Sequence, residues 1–186
     1  MSGFRYLPSP HANGRPPHME VELMVVHAIS LPPGRFGGGY VDDLFLGQLD
    51  PDADPFFLEI CQLRVSAHFY IDRGGRLTQY VPVRRRAWHA GKSCWRGREA
   101  CNDFSVGVEL EGDEHHPFTP VQYRQLAALF RTLQTQLPAL KDEHITGHQH
   151  IAPDRKWDPG PGFDWGHFWA QLEKSAPFDG WPIVWD

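Results

Sequence analysis

The stretch Gly147–Asp164, GHQHIAPDRKWDPGPGFD, gathers two imidazoles (His148 and His150), three carboxylates (Asp154, Asp158 and Asp164) and the ammonium of Lys156. Pro153, Pro159, Gly160, Pro161 and Gly162 forbid a continuous helix or a central strand here. A shaped loop that mixes imidazole with carboxylate suits Zn2+. The same composition also describes a polar surface loop with solvated histidines. No closed metal motif such as H-E-x-x-H is present to choose between them.

A catalytic zinc site takes three protein ligands and keeps one position open, so groups elsewhere in the chain must decide. His27 closes the apolar run Val21–Val26 (VELMVV), whose length and β-branched content read as a buried strand. A histidine at such a strand end stands where α/β sheets place functional groups. Its structural alternative is an imidazole satisfied by a backbone carbonyl. Ser105–Leu110 (SVGVEL) alternates: Val106, Val108 and Leu110 share one face, and Ser105, Gly107, Glu109 and Glu111 the other. A carboxylate on such a strand is either paired or raised in pKa, which makes Glu109 an acid–base candidate. Glu111, beside the turn Gly112-Asp113, is expected to be exposed. His27, one histidine of the HQH pair and one loop aspartate supply the ligand count. Sequence does not choose between His148 and His150, or between Asp154 and Asp158. Glu109 suits proton transfer, and Lys156 or the metal suits the charge of an oxyanion.

The remaining elements must position these groups. Residues 31–57 form a long Gly/Pro/Asp-rich excursion with a helical turn near Asp42–Leu46 and a helix at Pro55–Cys61. Phe36, Tyr40, Phe45, Phe56 and Phe57 make it an ordered wall or lid. Val65–Ile71 and Arg76–Val81 read as a hairpin around Asp72-Arg73-Gly74-Gly75, with His68 in the core or supporting a ligand. Ala87–Gly91 (AWHAG) is a turn carrying Trp88 and a histidine, and residues 92–102 are irregular. Thr119–Leu137 is the clearest helix, with Thr119 and Gln122 as a capping box and Pro120 at its first position. A short strand in His144–Gly147 delivers the loop. Asp164 caps a last helix near residues 165–174, with Phe163 and Phe168 as a hydrophobic staple. The division is an N-terminal surface arm (1–19), one domain (20–175) and a Trp-rich tail (176–186) that folds back on the body.

A chain of 186 residues fits one domain with a sizeable core. The net charge of −5 argues against nucleic acid as a partner, and Arg84-Arg85-Arg86 is too short for a phosphate-binding face. Cys61, Cys94 and Cys101 form no C-x-x-C pair and read as free thiols; a Cys94–Cys101 bridge is the lesser alternative. The N-terminus lacks the apolar core of a secretory signal, and no run approaches the ~18 apolar residues of a membrane span. The expectation is a cytoplasmic protein with no membrane partner.

Five segments in order carry a resemblance: VVHAISLPPG, RVSAHF, VPVRRRAWHAG, CNDFSVGVELEG and TGHQHIAPDRKWDPGPGFDW. From about Arg5 to Leu172 the chain resembles the AmpD-type 1,6-anhydro-N-acetylmuramoyl-L-alanine amidases of the zinc amidase and peptidoglycan-recognition superfamily. The resemblance implies an α/β (α+β type) fold with a central mixed sheet flanked by helices. It implies one Zn2+ per chain on His27, His148 and Asp158, with Glu109 as catalytic glutamate and Lys156 as its electrostatic helper. Trp88 and Arg64 fall on substrate-contacting positions. Where the family can carry a peptide-holding arginine before the CNDFS cysteine, this chain has Ala100, a departure that touches peptide preference rather than chemistry. The implied reaction is hydrolysis of the amide between the lactyl group of anhydro-muramic acid and L-alanine, by a monomer acting on muropeptides recycled in the cytoplasm. The rival reading is a muropeptide-binding module without catalysis.

Overall fold

The two runs with the strongest strand character lie side by side, paired in parallel from Leu23 opposite Ser105 to Ile29 opposite Glu111. The computed structural model describes residues 3–186. In chain order the strands are β1 (Phe4–Tyr6), β2 (Ala12–Gly14), β3 (Leu23–Ile29), β4 (Phe69–Ile71), β5 (Leu77–Gln79), β6 (Arg85–Ala87), β7 (Cys94–Trp95), β8 (Arg98–Glu99), β9 (Ser105–Glu111) and β10 (Ile145–Gly147). The helices are α1 (Tyr40–Leu46), α2 (Phe57–Ile60), α3 (Pro120–Gln134), α4 (His148–Ile151) and α5 (Trp165–Leu172). Six strands form one mixed sheet in the order β1-β5-β4-β9-β3-β10, in which only β4 and β5 run antiparallel.

The period-2 pattern sorts the long strands between two layers. Met24, Val26, Val106, Val108 and Leu110 pack under Leu126, Phe130 and Leu133 of α3 and Phe168 of α5. Leu23 and Val25 face the other way, against Phe104 and Ile151. On that second side, Phe45 and Leu44 of α1 and Phe57 of α2 cover Tyr70 and Tyr80. Each such buried side chain contributes about 1.5–3 kcal/mol, so β3 and β9 are held rigidly from both faces. Glu109 and His27 share the second side.

The α3 start is built as its sequence predicts. Thr119 Oγ1 accepts the Gln122 N–H at 3.3 Å, and Gln122 Oε1 accepts the Thr119 N–H at 2.9 Å. Asp164 caps α5 by accepting the His167 N–H at 2.9 Å. Cys61, Cys94 and Cys101 are free thiols. The tail folds back: Gln79 Nε2 donates to the Val184 carbonyl at 2.7 Å, and the Val184 N–H returns to Gln79 Oε1 at 2.9 Å.

Several local expectations need correction. The hairpin strands are shorter than Val65–Ile71 and Arg76–Val81, being Phe69–Ile71 and Leu77–Gln79, although the His68 backbone still bonds to Gly107 and Tyr80 on either side. Residues 92–102 contain the small hairpin β7–β8, closed by Arg96 and Gly97 at positive φ. Within the segment expected as an arm, β1 forms a sheet edge and β2 pairs with β6; Met1 and Ser2 lie outside the described residues. Glu111 is buried rather than exposed: its carboxylate accepts the N–H groups of Gly37 and Arg73, pinning the 31–57 excursion to the sheet.

Candidate metal and active site

Sheet register assembles the site. His27 stands directly opposite Glu109, on neighbouring parallel strands. On the other side of β3, Gly147 pairs with Val26, so the chain leaves β10 level with His27 and His148 is the next residue. The breaker-rich loop then returns Asp158. Gln149 holds it there: its N–H donates to the Asp158 carbonyl at 2.7 Å, and its Oε1 accepts the Gly160 N–H at 2.9 Å. A side chain on Gly147 would meet Pro159 Cδ at 2.8 Å, so glycine is what lets the returning loop lie against β10.

Three donor atoms converge as a result. His27 Nδ1 lies 3.0 Å from His148 Nδ1 and 3.0 Å from Asp158 Oδ2, and His148 Nδ1 lies 3.1 Å from the same oxygen. All three residues are buried, and together they could hold a metal ion. His148 Nε2 is 3.1 Å from the Ala90 carbonyl oxygen, an acceptor only, so this nitrogen keeps the proton and Nδ1 presents a lone pair. A lone pair and a carboxylate oxygen facing each other in a buried site repel unless a cation lies between them. Tetrahedral bonds of about 2.0–2.2 Å place donor atoms roughly 3.3–3.5 Å apart, so the donor set fits zinc with little adjustment.

The electrostatics agree with that chemistry. Burial, and then His148 beside it, lowers the His27 pKa to about 4, so the imidazole is neutral at pH 7. Burial raises the pKa of Asp158, but the two imidazoles set against its Oδ2, His148 and then His27, outweigh it and hold the carboxyl well below its usual range. Glu109 moves the opposite way: burial, then Asp158, raises it well above the ordinary carboxylate range, while Lys156 opposes the rise. Its Oε2 is buried without a hydrogen-bond partner among the described residues.

These groups line a cavity of about 310 Å³ with Leu63, Trp88, His89, Lys156 and Trp157. Lys156 and Trp88 are therefore brought to the site. Arg64 is exposed between two lining residues, Leu63 and Val65, and is not itself part of the lining. His150 is exposed and Asp154 lies on a neighbouring cavity of about 550 Å³, away from the donor cluster. Asp164 is occupied as a cap. Sequence reasoning did not single out Gln149, Trp157 or His89. Trp157, flanked by Lys156 and Asp158, was legible as an aromatic in the loop; the other two act through contacts that no spacing reveals.

The family model described as N-acetylmuramoyl-L-alanine amidase matches residues 17–161. The 1,6-anhydro-N-acetylmuramyl-L-alanine amidase AmpD of Salmonella typhimurium (strain SL1344) is 57% identical over 172 residues, which are 92% of this chain and 91% of that protein. The crystal structure of a selenomethionine AmpD derivative superposes with a TM-score of 0.88 at 53% identity, covering 92% of this chain and 96% of the other. A complex of the E. coli N-acetylmuramyl-L-alanine amidase AmiD with anhydro-N-acetylmuramic acid-L-Ala-D-γ-Glu-L-Lys gives 0.59 at 29% identity, covering 84% and 60%.

Proposed function

The chain belongs to the N-acetylmuramoyl-L-alanine amidase family, on its AmpD-type branch, and from that premise we propose how its own residues cleave the amide between the lactyl group of (1,6-anhydro-)N-acetylmuramic acid and L-alanine. One observation carries the reading: the donor atoms of His27, His148 and Asp158 converge beside an unpartnered glutamate on the adjacent strand.

His27, His148 and Asp158 would hold one Zn2+ per chain, which when bound supplies Lewis acidity toward water and the scissile carbonyl. Glu109 takes the proton of the attacking water. Its buried position makes it a stronger base than a solvated carboxylate, and the Lys156 ammonium opposes part of that rise. The same carboxyl then gives the proton to the departing amine of L-alanine. The Lys156 ammonium, at the cavity wall, opposes the charge that grows on the carbonyl oxygen. Trp88 and Trp157 present ring surface to the sugar. Arg64 at the rim meets peptide carboxylates, a bidentate pairing suited to guanidinium.

We assign the catalytic unit to residues 20–175, a division supported by the family match over 17–161. Among the described residues no helix is long and apolar enough to cross a membrane. The setting we propose is a monomer in the cytoplasm, recycling anhydro-muropeptides. The rival reading, a muropeptide-binding module, would not need a glutamate aimed into the cavity.

The test is to incubate the protein with anhydro- and ordinary muramoyl-peptides, with and without chelator, and follow peptide release by mass spectrometry. Release that chelator abolishes and zinc restores is expected. Binding without release would establish the module instead.

A further inference from the structure

We propose that His89 is a positioning residue that fixes His27 as an Nδ1 donor, through a hydrogen-bond chain whose direction is set by the backbone carbonyl of Cys101. The proposal rests on the zinc reading given above.

The direction follows link by link from what each atom can donate. The Cys101 carbonyl oxygen only accepts, and Ser105 Oγ donates to it at 2.6 Å. A hydroxyl has one hydrogen, so toward His89 Nε2, 3.2 Å away, Ser105 Oγ is an acceptor. Neutral His89 therefore carries its proton on Nε2 and offers Nδ1 as an acceptor. That Nδ1 lies 2.9 Å from His27 Nε2, which must then carry the His27 proton. The lone pair of His27 is left on Nδ1, the atom 3.0 Å from His148 Nδ1 and from Asp158 Oδ2. Reversing the order would set two lone pairs, Ser105 Oγ and His89 Nε2, against each other.

The surroundings are built to hold this ring. Asn102 Oδ1 accepts the backbone N–H of His89 at 3.1 Å and of Ala90 at 2.8 Å, fixing the turn. Below the imidazole lies Gly107, where a Cβ would come within 2.6 Å of His89 Nδ1. The His27 and His89 rings meet edge-on, with planes at 85°. Ala90, the next residue, orients the other imidazole, since its carbonyl takes the His148 Nε2 proton. One turn, His89-Ala90, thus sets the tautomer of both histidine donors, in the way that outer partners orient metal-binding imidazoles.

Two measurements test this. Long-range 15N–1H spectra of native protein, metal-free and zinc-loaded, are expected to show His89 and His27 both protonated at Nε2, with the His89 signals assigned by their loss in H89N and the His27 signals by their loss in H27N. Proton on Nδ1 of His89 overturns the proposal. In chelator competition, His89→Ala is expected to weaken zinc binding by about 10–100-fold. His89→Asn, whose Oδ1 replaces Nδ1 as acceptor, recovers most of that loss. Native affinity in His89→Ala overturns the proposal; if that variant does not fold, the tautomer spectrum of native protein still decides. A native protein that takes up no zinc ends the zinc reading itself. One that binds zinc with His89 protonated on Nδ1 ends only the relay.

Discussion

His68 lies buried beneath the site, and its titration makes stability depend on pH in a predictable direction. Its Nδ1 accepts the Gly107 N–H at 3.0 Å, and its Nε2 lies 3.0 Å from the Arg85 carbonyl oxygen. Both nitrogens are thus engaged by the neutral ring, and protonating Nδ1 breaks the bond from Gly107. Burial first, and then the Arg15 guanidinium, lower its pKa to about 3; the Arg85 carbonyl acts the other way. In the unfolded chain a histidine titrates near 6.5. Between those values the unfolded chain binds more protons than the folded one, so stability rises with pH. The contribution is complete above about pH 6.5 and is lost as pH falls toward the folded value. At roughly 1.4 kcal/mol per unit, the loss is about 1 kcal/mol at pH 5.5 and about 3 kcal/mol at pH 4.5. The assay is urea denaturation of metal-free native protein and His68→Gln at these pH values and at about pH 7.5. The glutamine amide can still accept and donate but does not titrate, so other groups cancel in the difference. The native advantage at pH 7.5 should shrink by about 1 and then about 3 kcal/mol. A gap that stays constant with pH refutes the reasoning.

Three further outcomes are expected. Asp158→Ala should lose both zinc and amidase activity, measured by metal analysis and peptide release; a variant retaining both would mean the donor set is wrong. Glu109→Ala should keep zinc yet lose about 10²–10⁴-fold in rate, the usual worth of a general acid–base group, and an unchanged rate would remove it from the mechanism. Gly107→Ala places a methyl against the His89 ring and should cost about 1–3 kcal/mol in urea denaturation; an unshifted midpoint would show that the ring has room to move.

What could be read ahead of the structure was what depends on short spacing. Alternation in SVGVEL put Glu109 on the face opposite Val106, Val108 and Leu110, and the sheet keeps it there. The capping box of Thr119 and Gln122 is a pattern three residues long, and it formed. Spacing alone left His148 and His150 unresolved for an equally local reason. H-x-H puts both rings on one side only in an extended chain, whereas these residues lie in the single turn α4. Residues two apart on a helix point about 200° apart, so His148 turns inward and His150 outward. Glu111 was misjudged because its partner Gly37 lies 74 residues away. Arg15 escaped notice because its worth lies in reaching the carbonyls of Val83, Asn102, Asp103 and Ser105 from a segment with no pattern of its own.

The site itself is a product of register more than of motif. Pairing β10, β3 and β9 in parallel brings their C-terminal ends to one edge, so three segments that are remote in sequence deliver His148, His27 and Glu109 side by side. Shifting β9 by one residue against β3 would replace Glu109 with an apolar neighbour and turn the carboxylate into the layer under α3. The apolar side chains that fix the register are therefore as much a condition of the chemistry as the donors. Met24, Val26, Val106 and Val108 hold the strands in place from below, and this leaves the breaker-rich loop only the task of returning Asp158, which Gln149 secures by hydrogen bonds at both ends of the Asp158–Gly160 segment.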